Sequence, residues 1–188
     1  GIHSFDAYRQ MARRRGREVM SAMAGQYPDT TIFSLFLLSI FQRQAGHSSL
    51  ALAVQRYGLY PAFVDGWLDA APPDVTLIDG CESAYRFNSK VEYLAAANAI
   101  RNNCQYLVSP ENRYKYRAQV QVSFGLYADA YVNPPDSSWY IDPGDQTPLE
   151  RFRANLAHAL NAADEYVWLY GEKASWWTAP GAHAIALA

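Results

Sequence analysis

The chain has 188 residues, half of them hydrophobic, so it is long enough to form a globular domain with a buried core. Its 16 basic and 18 acidic side chains give a formal net charge of −2, which argues against general electrostatic binding of nucleic acid. No run of about 18 apolar residues occurs, so we expect no membrane-spanning helix. Five Trp, fourteen Tyr and eight Phe supply many aromatic rings for a core or for stacking on a ligand.

The first predicted element is a long helix over residues 5–26, in which apolar residues recur at helical spacing. Arg9, Arg13 and Arg17 lie four apart on another face of this helix, and we interpret them as solvent-exposed. The residues before this helix contain neither an initiator Met nor a signal peptide, so we expect the chain to begin inside a longer protein. The sequence assigns no compartment.

Strands and helices then alternate along the chain. Runs of β-branched and aromatic residues predict strands near residues 30–38, 75–79, 118–127 and 166–171. Helical patterns lie between them, over residues 50–70 with interruptions, 90–107 and 148–163. Thr147 and Glu150 have the spacing of a capping box at the start of the last helix. This order is typical of an α/β fold built from parallel βα repeats.

Two architectures fit such repeats: an open parallel sheet or part of a (β/α)8 barrel, also called a TIM barrel. In residues 118–127 the side chains of Val120, Val122, Phe124 and Leu126 alternate with a more polar set, which favours a barrel over a sheet that is buried on both faces. A complete barrel needs about 250 residues and eight strands. We therefore expect residues 1–188 to form a single domain that is a half barrel with four strands.

Candidate functional residues follow the strands, because ligands of parallel βα proteins bind at the carboxyl ends of the strands. Carboxylates and aromatic rings gather there. The leading acids are Glu82 and Glu172, which we predict to be catalytic. The predicted substrate-binding residues are Asp79, Tyr127, Asp129, Trp168, Tyr170, Lys173 and Trp176.

This set of side chains suits sugar chemistry. Cleavage of a glycosidic bond requires one carboxylic acid to protonate the leaving oxygen and one carboxylate to attack or to activate water. Aromatic rings stack on the C–H face of a sugar ring. Simpler roles are open for individual residues: Glu172 can pair with Lys173, and Asp79 can be a turn residue.

Other chemistries have weaker support. The four histidines and two cysteines are scattered and do not have the spacing of a metal site. The glycine-rich motifs of nucleotide-binding loops and the GxSxG motif of serine hydrolases do not occur. We therefore expect neither a metal nor another cofactor.

Several segments resemble uncharacterised bacterial proteins with glycoside-hydrolase-like TIM barrels. They are residues 14–20 (RRGREVM), 27–32 (YPDTTI), 77–82 (LIDGCE), 165–173 (EYVWLYGEK) and the Trp pair at 176–177. The resemblance implies a (β/α)8 fold, of which this chain would be the C-terminal half, together with a carbohydrate substrate and acidic catalytic residues at strand ends. It also implies that a catalytic acid after the fourth barrel strand would be missing, so the fragment could be inactive.

Three functional hypotheses follow. The first is a glycoside hydrolase in which Glu172 is the nucleophile or base and Glu82 is the acid. The second is a carbohydrate-binding barrel without catalysis, in which the aromatic rings matter and the carboxylates do not. The third is a structural fragment that self-associates through the open edges of a half barrel, where unpaired strand groups are exposed.

Overall fold

The computed structural model describes residues 3–42 and 48–173, which contain six α-helices and five short strands. The helices are α1 (Phe5–Ala24), α2 (Ser49–Ala53), α3 (Tyr60–Ala70), α4 (Lys90–Asn98), α5 (Arg113–Gln119) and α6 (Pro148–Ala162). The strands are β1 (Thr31–Ser34), β2 (Thr76–Asp79), β3 (Val120–Val122), β4 (Phe124–Tyr127) and β5 (Val167–Tyr170). Every strand lies inside one of the ranges predicted from the sequence.

The strands form two small parallel sheets. One has the order β1-β2-β3 and the other contains β4 and β5. Only Ser123 separates β3 from β4 along the chain, and its backbone N–H donates to the carbonyl oxygen of Asp79 at 2.8 Å. One stretch of chain thus pairs first with β2 and then with β5.

The prediction of a half TIM barrel with four strands is wrong. The described residues form an α/β structure with separate sheets of three and two strands, where a half barrel requires one continuous sheet of four. The strand predicted over 30–38 ends at Ser34, and the strand predicted over 118–127 begins only at Val120 and is interrupted at Ser123. Strand pairing is replaced in the first case by the buried carboxylate of Asp79, which accepts the backbone N–H groups of Leu37 and Ser39.

The alternation predicted for residues 118–127 is confirmed in its central part. Val122, Phe124 and Leu126 are buried in a core against α4 and α6. Gly125 and Tyr127 face the opposite side, where they contact aromatic rings. A second core packs α1 and α3 against β1 and β2. The strand therefore separates a helix-covered face from the face that carries the candidate site.

Helices α1 and α3 cross at very close range. A Cβ atom on Gly66 of α3 would lie 2.0 Å from the carbonyl oxygen of Arg13, and one on Gly16 of α1 would lie 2.0 Å from that of Phe63. The buried residues of α1 are Gly16, Met20 and Ala24. Two glycines thus allow the backbones to touch.

The arginines of α1 correct a second expectation. Arg13 contacts Asp65 at 3.0 Å and Asp69 at 2.7 Å, and Arg17 contacts Asp69 at 2.7 Å. These carboxylates lie four residues apart on α3, so they face α1 together. Arg13 is accordingly part of an interhelical network. It is only 28% exposed.

The capping box at the start of α6 is confirmed. The Thr147 hydroxyl accepts the backbone N–H of Glu150, and the Glu150 carboxylate accepts the backbone N–H of Thr147 at 2.9 Å. Among the described helices, none combines the length and the apolarity that crossing a membrane would require.

Candidate functional site

A cavity of about 440 Å³ lies at the carboxyl ends of the strands. We call it the central cavity. Its lining residues come from the ends of β4 and β5, from the segments that follow β1, β2 and β5, and from a long loop before α6. They are Leu35, Glu82, Tyr85, Tyr127, Trp139, Trp168, Tyr170 and Glu172.

Both predicted catalytic acids lie in this cavity. Glu82 opens the short 3₁₀ helix that follows β2, and Glu172 follows β5. Tyr127, Trp168 and Tyr170 of the predicted substrate-binding set lie there too. The parallel arrangement explains this convergence, because it brings the carboxyl ends of strands that are distant in sequence to one edge.

Aromatic rings form the wall of the cavity around Tyr85. The ring of Tyr85 stacks on that of Tyr170 with centroids 5.7 Å apart, and it lies 5.2 Å from that of Trp168. Tyr127 stacks on Tyr170 at 5.5 Å, and Trp139 meets Tyr127 edge to face at 5.8 Å. These are favourable aromatic arrangements, and they give the cavity broad apolar faces.

The floor of the cavity requires a glycine at position 125. A Cβ atom on Gly125 of β4 would lie 2.7 Å from the ring of Tyr85 and 2.8 Å from that of Trp168. The indole N–H of Trp168 donates to the carbonyl oxygen of Gly80 at 2.7 Å. Glycine at position 125 therefore lets both rings approach the backbone of β4 closely, and the hydrogen bond fixes the orientation of Trp168.

Glu172 is held in place by its neighbours. The hydroxyl of Tyr170 donates to its carboxylate. The buried carboxylate of Asp129 accepts the backbone N–H groups of Glu172 at 2.7 Å and Lys173 at 3.0 Å. Asp129 thus orders the segment after β5 and presents Glu172 to the cavity without lining it.

Glu82 has a different environment. Its backbone N–H donates to the carbonyl oxygen of Leu35 at 3.0 Å, which ties the start of the 3₁₀ helix to the end of β1. Its half-buried carboxylate forms no ion pair or hydrogen bond within residues 3–42 and 48–173. The preceding residue, Cys81, has a φ of 40°, a left-handed conformation that turns the chain sharply at this point.

The cavity tyrosines remain neutral phenols over the ordinary pH range. Burial, followed by the charge of Glu82, raises the pKa of Tyr85 far above its usual value. Burial, followed by the charge of Asp129, raises the pKa of Tyr127, and the hydrogen bond to Glu172 raises that of Tyr170. Their hydroxyls can therefore donate hydrogen bonds to a ligand or to a carboxylate.

Asp79 does not line the central cavity. It is fully buried, and its carboxylate accepts the backbone N–H groups of Leu37 at 3.0 Å, Ser39 at 2.8 Å and Cys81 at 3.2 Å. Burial raises its pKa, against the effect of these hydrogen bonds. Asp79 is the last residue of β2, and its carboxylate joins the segments that follow β1 and β2, so it supports the residues of the cavity without lining it.

The other predicted binding residues have separate locations. Lys173 is exposed and is not part of the cavity lining, and Trp176 lies outside the described residues. Sequence reasoning missed Leu35, Tyr85 and Trp139. Tyr85 follows the candidate acid Glu82 by three residues, and in a 3₁₀ helix residues three apart project from the same side. That spacing could have indicated that Tyr85 lies beside Glu82. Trp139 reaches the cavity from a long loop, for which local sequence holds no comparable signal.

No group of three or more His, Cys, Asp or Glu side chains within residues 3–42 and 48–173 is placed to hold a metal ion. Comparison of the chain with models of protein families, with curated protein sequences and with solved structures finds no significant match. The geometry of the central cavity is therefore the basis on which its function is inferred.

Proposed function

We propose that the central cavity binds a carbohydrate and that Glu82 and Glu172 hydrolyse a glycosidic bond within it. The observation that carries this proposal is the presence of both carboxylates on one cavity whose lining otherwise consists of Leu35 and five aromatic rings. Such rings stack on the apolar faces of sugars, and paired carboxylates are what glycosidic cleavage requires.

The surroundings of the two acids support different roles. The Tyr170 hydroxyl donates to Glu172 and fixes the position of its carboxylate at the cavity, which suits a nucleophile or base. Glu82 has no such donor within the described residues, so its carboxyl group is free to turn toward a glycosidic oxygen, which suits the role of the acid.

The reaction then has a balanced form. The Glu82 carboxyl gives its proton to the glycosidic oxygen as the bond from that oxygen to the anomeric carbon breaks. In a retaining reaction Glu172 attacks the anomeric carbon, and water then breaks the bond between Glu172 and the sugar while the Glu82 carboxylate takes a proton from that water. In an inverting reaction Glu172 takes a proton from the water that attacks. The anomeric configuration of the first product distinguishes the two courses.

The test measures the release of reducing ends from a broad panel of oligosaccharides and glycans. We expect Glu172→Gln and Glu82→Gln each to lower kcat/KM by about 100-fold or more, because acid–base groups contribute on that scale. The matched control is Glu165→Gln, since Glu165 is an exposed acid just before β5 and outside the cavity lining.

Unchanged rates in both cavity variants would refute the assignment of the two acids. Binding without cleavage, retained in Glu82→Gln and Glu172→Gln but lost in Trp168→Ala, would replace the proposal by the non-catalytic alternative. Failure of every carbohydrate to bind would refute both.

A further inference from the structure

A second cavity adjoins the central one. This side cavity has a volume of about 370 Å³. It shares Glu82, Tyr85 and Trp139 with the central cavity, so the two lie side by side with Glu82 on the lining of both, and we call the pair the groove. The remaining lining residues follow β1 and β2; they are Phe36, Ser39, Ile40, Ser83 and Arg86.

Arg86 brings a positive charge to the side cavity in a fixed orientation. Its guanidinium carbon lies 4.0 Å from the centre of the Trp139 ring, within the range of a cation–π contact. Its Nη1 donates to the carbonyl oxygen of Ser138 at 2.9 Å. The ring and the carbonyl hold the guanidinium plane, while its other N–H groups form no hydrogen bond within residues 3–42 and 48–173.

Arg86 differs in this respect from the arginines of α1. Arg13 and Arg17 both contact carboxylates, whereas Arg86 has no acidic partner within residues 3–42 and 48–173. Among the described lining residues of the side cavity, Arg86 is the one base and Glu82, which also lines the central cavity, is the one acid. The Arg86 guanidinium is therefore available to an acidic group of a ligand.

We infer that the side cavity binds a sugar unit that bears a carboxylate, a uronic acid, and that Arg86 recognises its acid group. A planar guanidinium matches a carboxylate through paired N–H···O bonds. The side chains of Phe36 and Ile40 offer an apolar wall for the ring, and Ser83 offers a hydroxyl. This inference rests on the proposed function, because it names the substrate class of the same groove.

The test compares three probes of equal length by calorimetry: a neutral oligosaccharide, the corresponding oligouronate and its methyl ester. Glu172→Gln serves as the host protein, so that no probe is cleaved. We expect the oligouronate to bind at least tenfold more tightly than its methyl ester. Adding Arg86→Gln should abolish that preference and leave the affinity for the neutral probe unchanged.

The matched control is Arg56→Gln. Arg56 also lies over a tyrosine ring, that of Tyr57, with 5.3 Å between guanidinium carbon and ring centre, but it lines a different cavity. This variant should keep the preference for the oligouronate. Arg86→Lys keeps the positive charge without the planar guanidinium and should retain only part of the preference for the oligouronate.

Equal binding of the oligouronate and its methyl ester to the host protein would overturn this inference and leave the proposed function standing, because sugars would still bind. That comparison needs no Arg86 variant, so a folding defect cannot obscure it. A preference that persists in Arg86→Gln would also overturn the inference. Absence of binding by all three probes, while a neutral carbohydrate of the wider panel binds, would overturn this inference alone, and absence of binding across the whole panel would refute the proposed function itself.

Discussion

The α1–α3 interface and the groove formed by the central and side cavities differ in whether their charged side chains have a partner of opposite charge. At the interface, Arg13 and Arg17 are matched to carboxylates of α3 within 3.0 Å. In the groove, Glu82 and Arg86 lie near each other in sequence and have no charged partner within residues 3–42 and 48–173.

The contrast separates stability from binding. A charged group that is matched on folding holds two helices together, and its removal leaves its partner buried and unsatisfied. A charged group left unmatched on a cavity wall contributes little to folding but is available to a ligand. Changes at the interface should therefore alter the free energy of unfolding, and changes in the groove should alter ligand binding.

The largest effect on stability is expected from Gly66→Ala. The added Cβ would lie 2.0 Å from the carbonyl oxygen of Arg13, so the helices must separate, at a cost of about 3 kcal/mol. Urea unfolding measures this cost. Gly25→Ala is the control, because its Cβ would lie no closer than 3.1 Å to a neighbouring atom and should change stability little. Equal effects of the two substitutions would contradict the close-contact interpretation.

Asp69→Asn should lower the free energy of unfolding by about 2 kcal/mol at pH 7, since hydrogen bonds to charged groups are worth about that much. Burial disfavours ionisation of Asp69, but hydrogen bonds from Arg13, Arg17 and Asn112 outweigh it and hold the pKa well below its usual value. The contribution is therefore complete above the unfolded-state pKa of about 4 and is lost as the pH falls below it.

Urea unfolding of both proteins at pH 7 and at pH 3 tests this dependence. The difference in free energy of unfolding between the wild type and Asp69→Asn should be smaller at the lower pH. Asp74→Asn is the control, because Asp74 is exposed and has no ion pair with another described residue. A difference in free energy of unfolding that grows on acidification would contradict the lowered pKa of Asp69.

Gly125→Ala should cost about 1 kcal/mol, less than Gly66→Ala, because the atoms it would displace belong to the rings of Tyr85 and Trp168 and not to backbone. Its main effect should be on the groove. We expect a changed Trp fluorescence spectrum and at least tenfold weaker carbohydrate binding, whereas the folded fraction of Gly66→Ala should bind normally. Normal binding by Gly125→Ala would break the distinction between the two regions.

Tyr170→Phe should have the smallest effect on stability, under about 0.5 kcal/mol, because the side chain is 39% exposed. It removes the hydroxyl that donates to Glu172, so kcat/KM for a cleaved oligosaccharide should fall about tenfold. Tyr166→Phe provides the matched control on the same segment, since Tyr166 is 42% exposed and lies outside the cavity lining. A similar loss of activity in both variants would argue against a role for the Tyr170 hydroxyl.

Interactions between residues close in sequence could be predicted. The Thr147–Glu150 capping box is a contact across three positions, and the structure contains it. The alternation of Val122, Phe124 and Leu126 with Gly125 and Tyr127 also follows from strand geometry alone. Both features depend on residues within one short segment, so that segment alone is enough to predict them.

Predictions failed where a distant side chain competed with a local pattern. The first strand ends at Ser34, and farther along the predicted range 30–38 the carboxylate of Asp79 accepts the backbone N–H groups of Leu37 and Ser39 in place of strand pairing. Arg13 is drawn from solvent by Asp65 and Asp69, which are more than 50 positions away. Residues 113–119 form a helix, although the predicted strand included the last two of them.

The sequence by itself determined the ranges within which the strands lie, the cap of α6 and the gathering of acids and aromatic rings at the strand ends, because each depends on a periodicity or on a residue type within one segment. Only the tertiary structure decided that the strands form two small sheets, that Asp79 and Asp129 support the cavity from outside its lining, and that Trp139 and Arg86 meet at one groove. Those outcomes depend on which distant groups satisfy buried polar atoms and charges, and that selection is made when the chain packs.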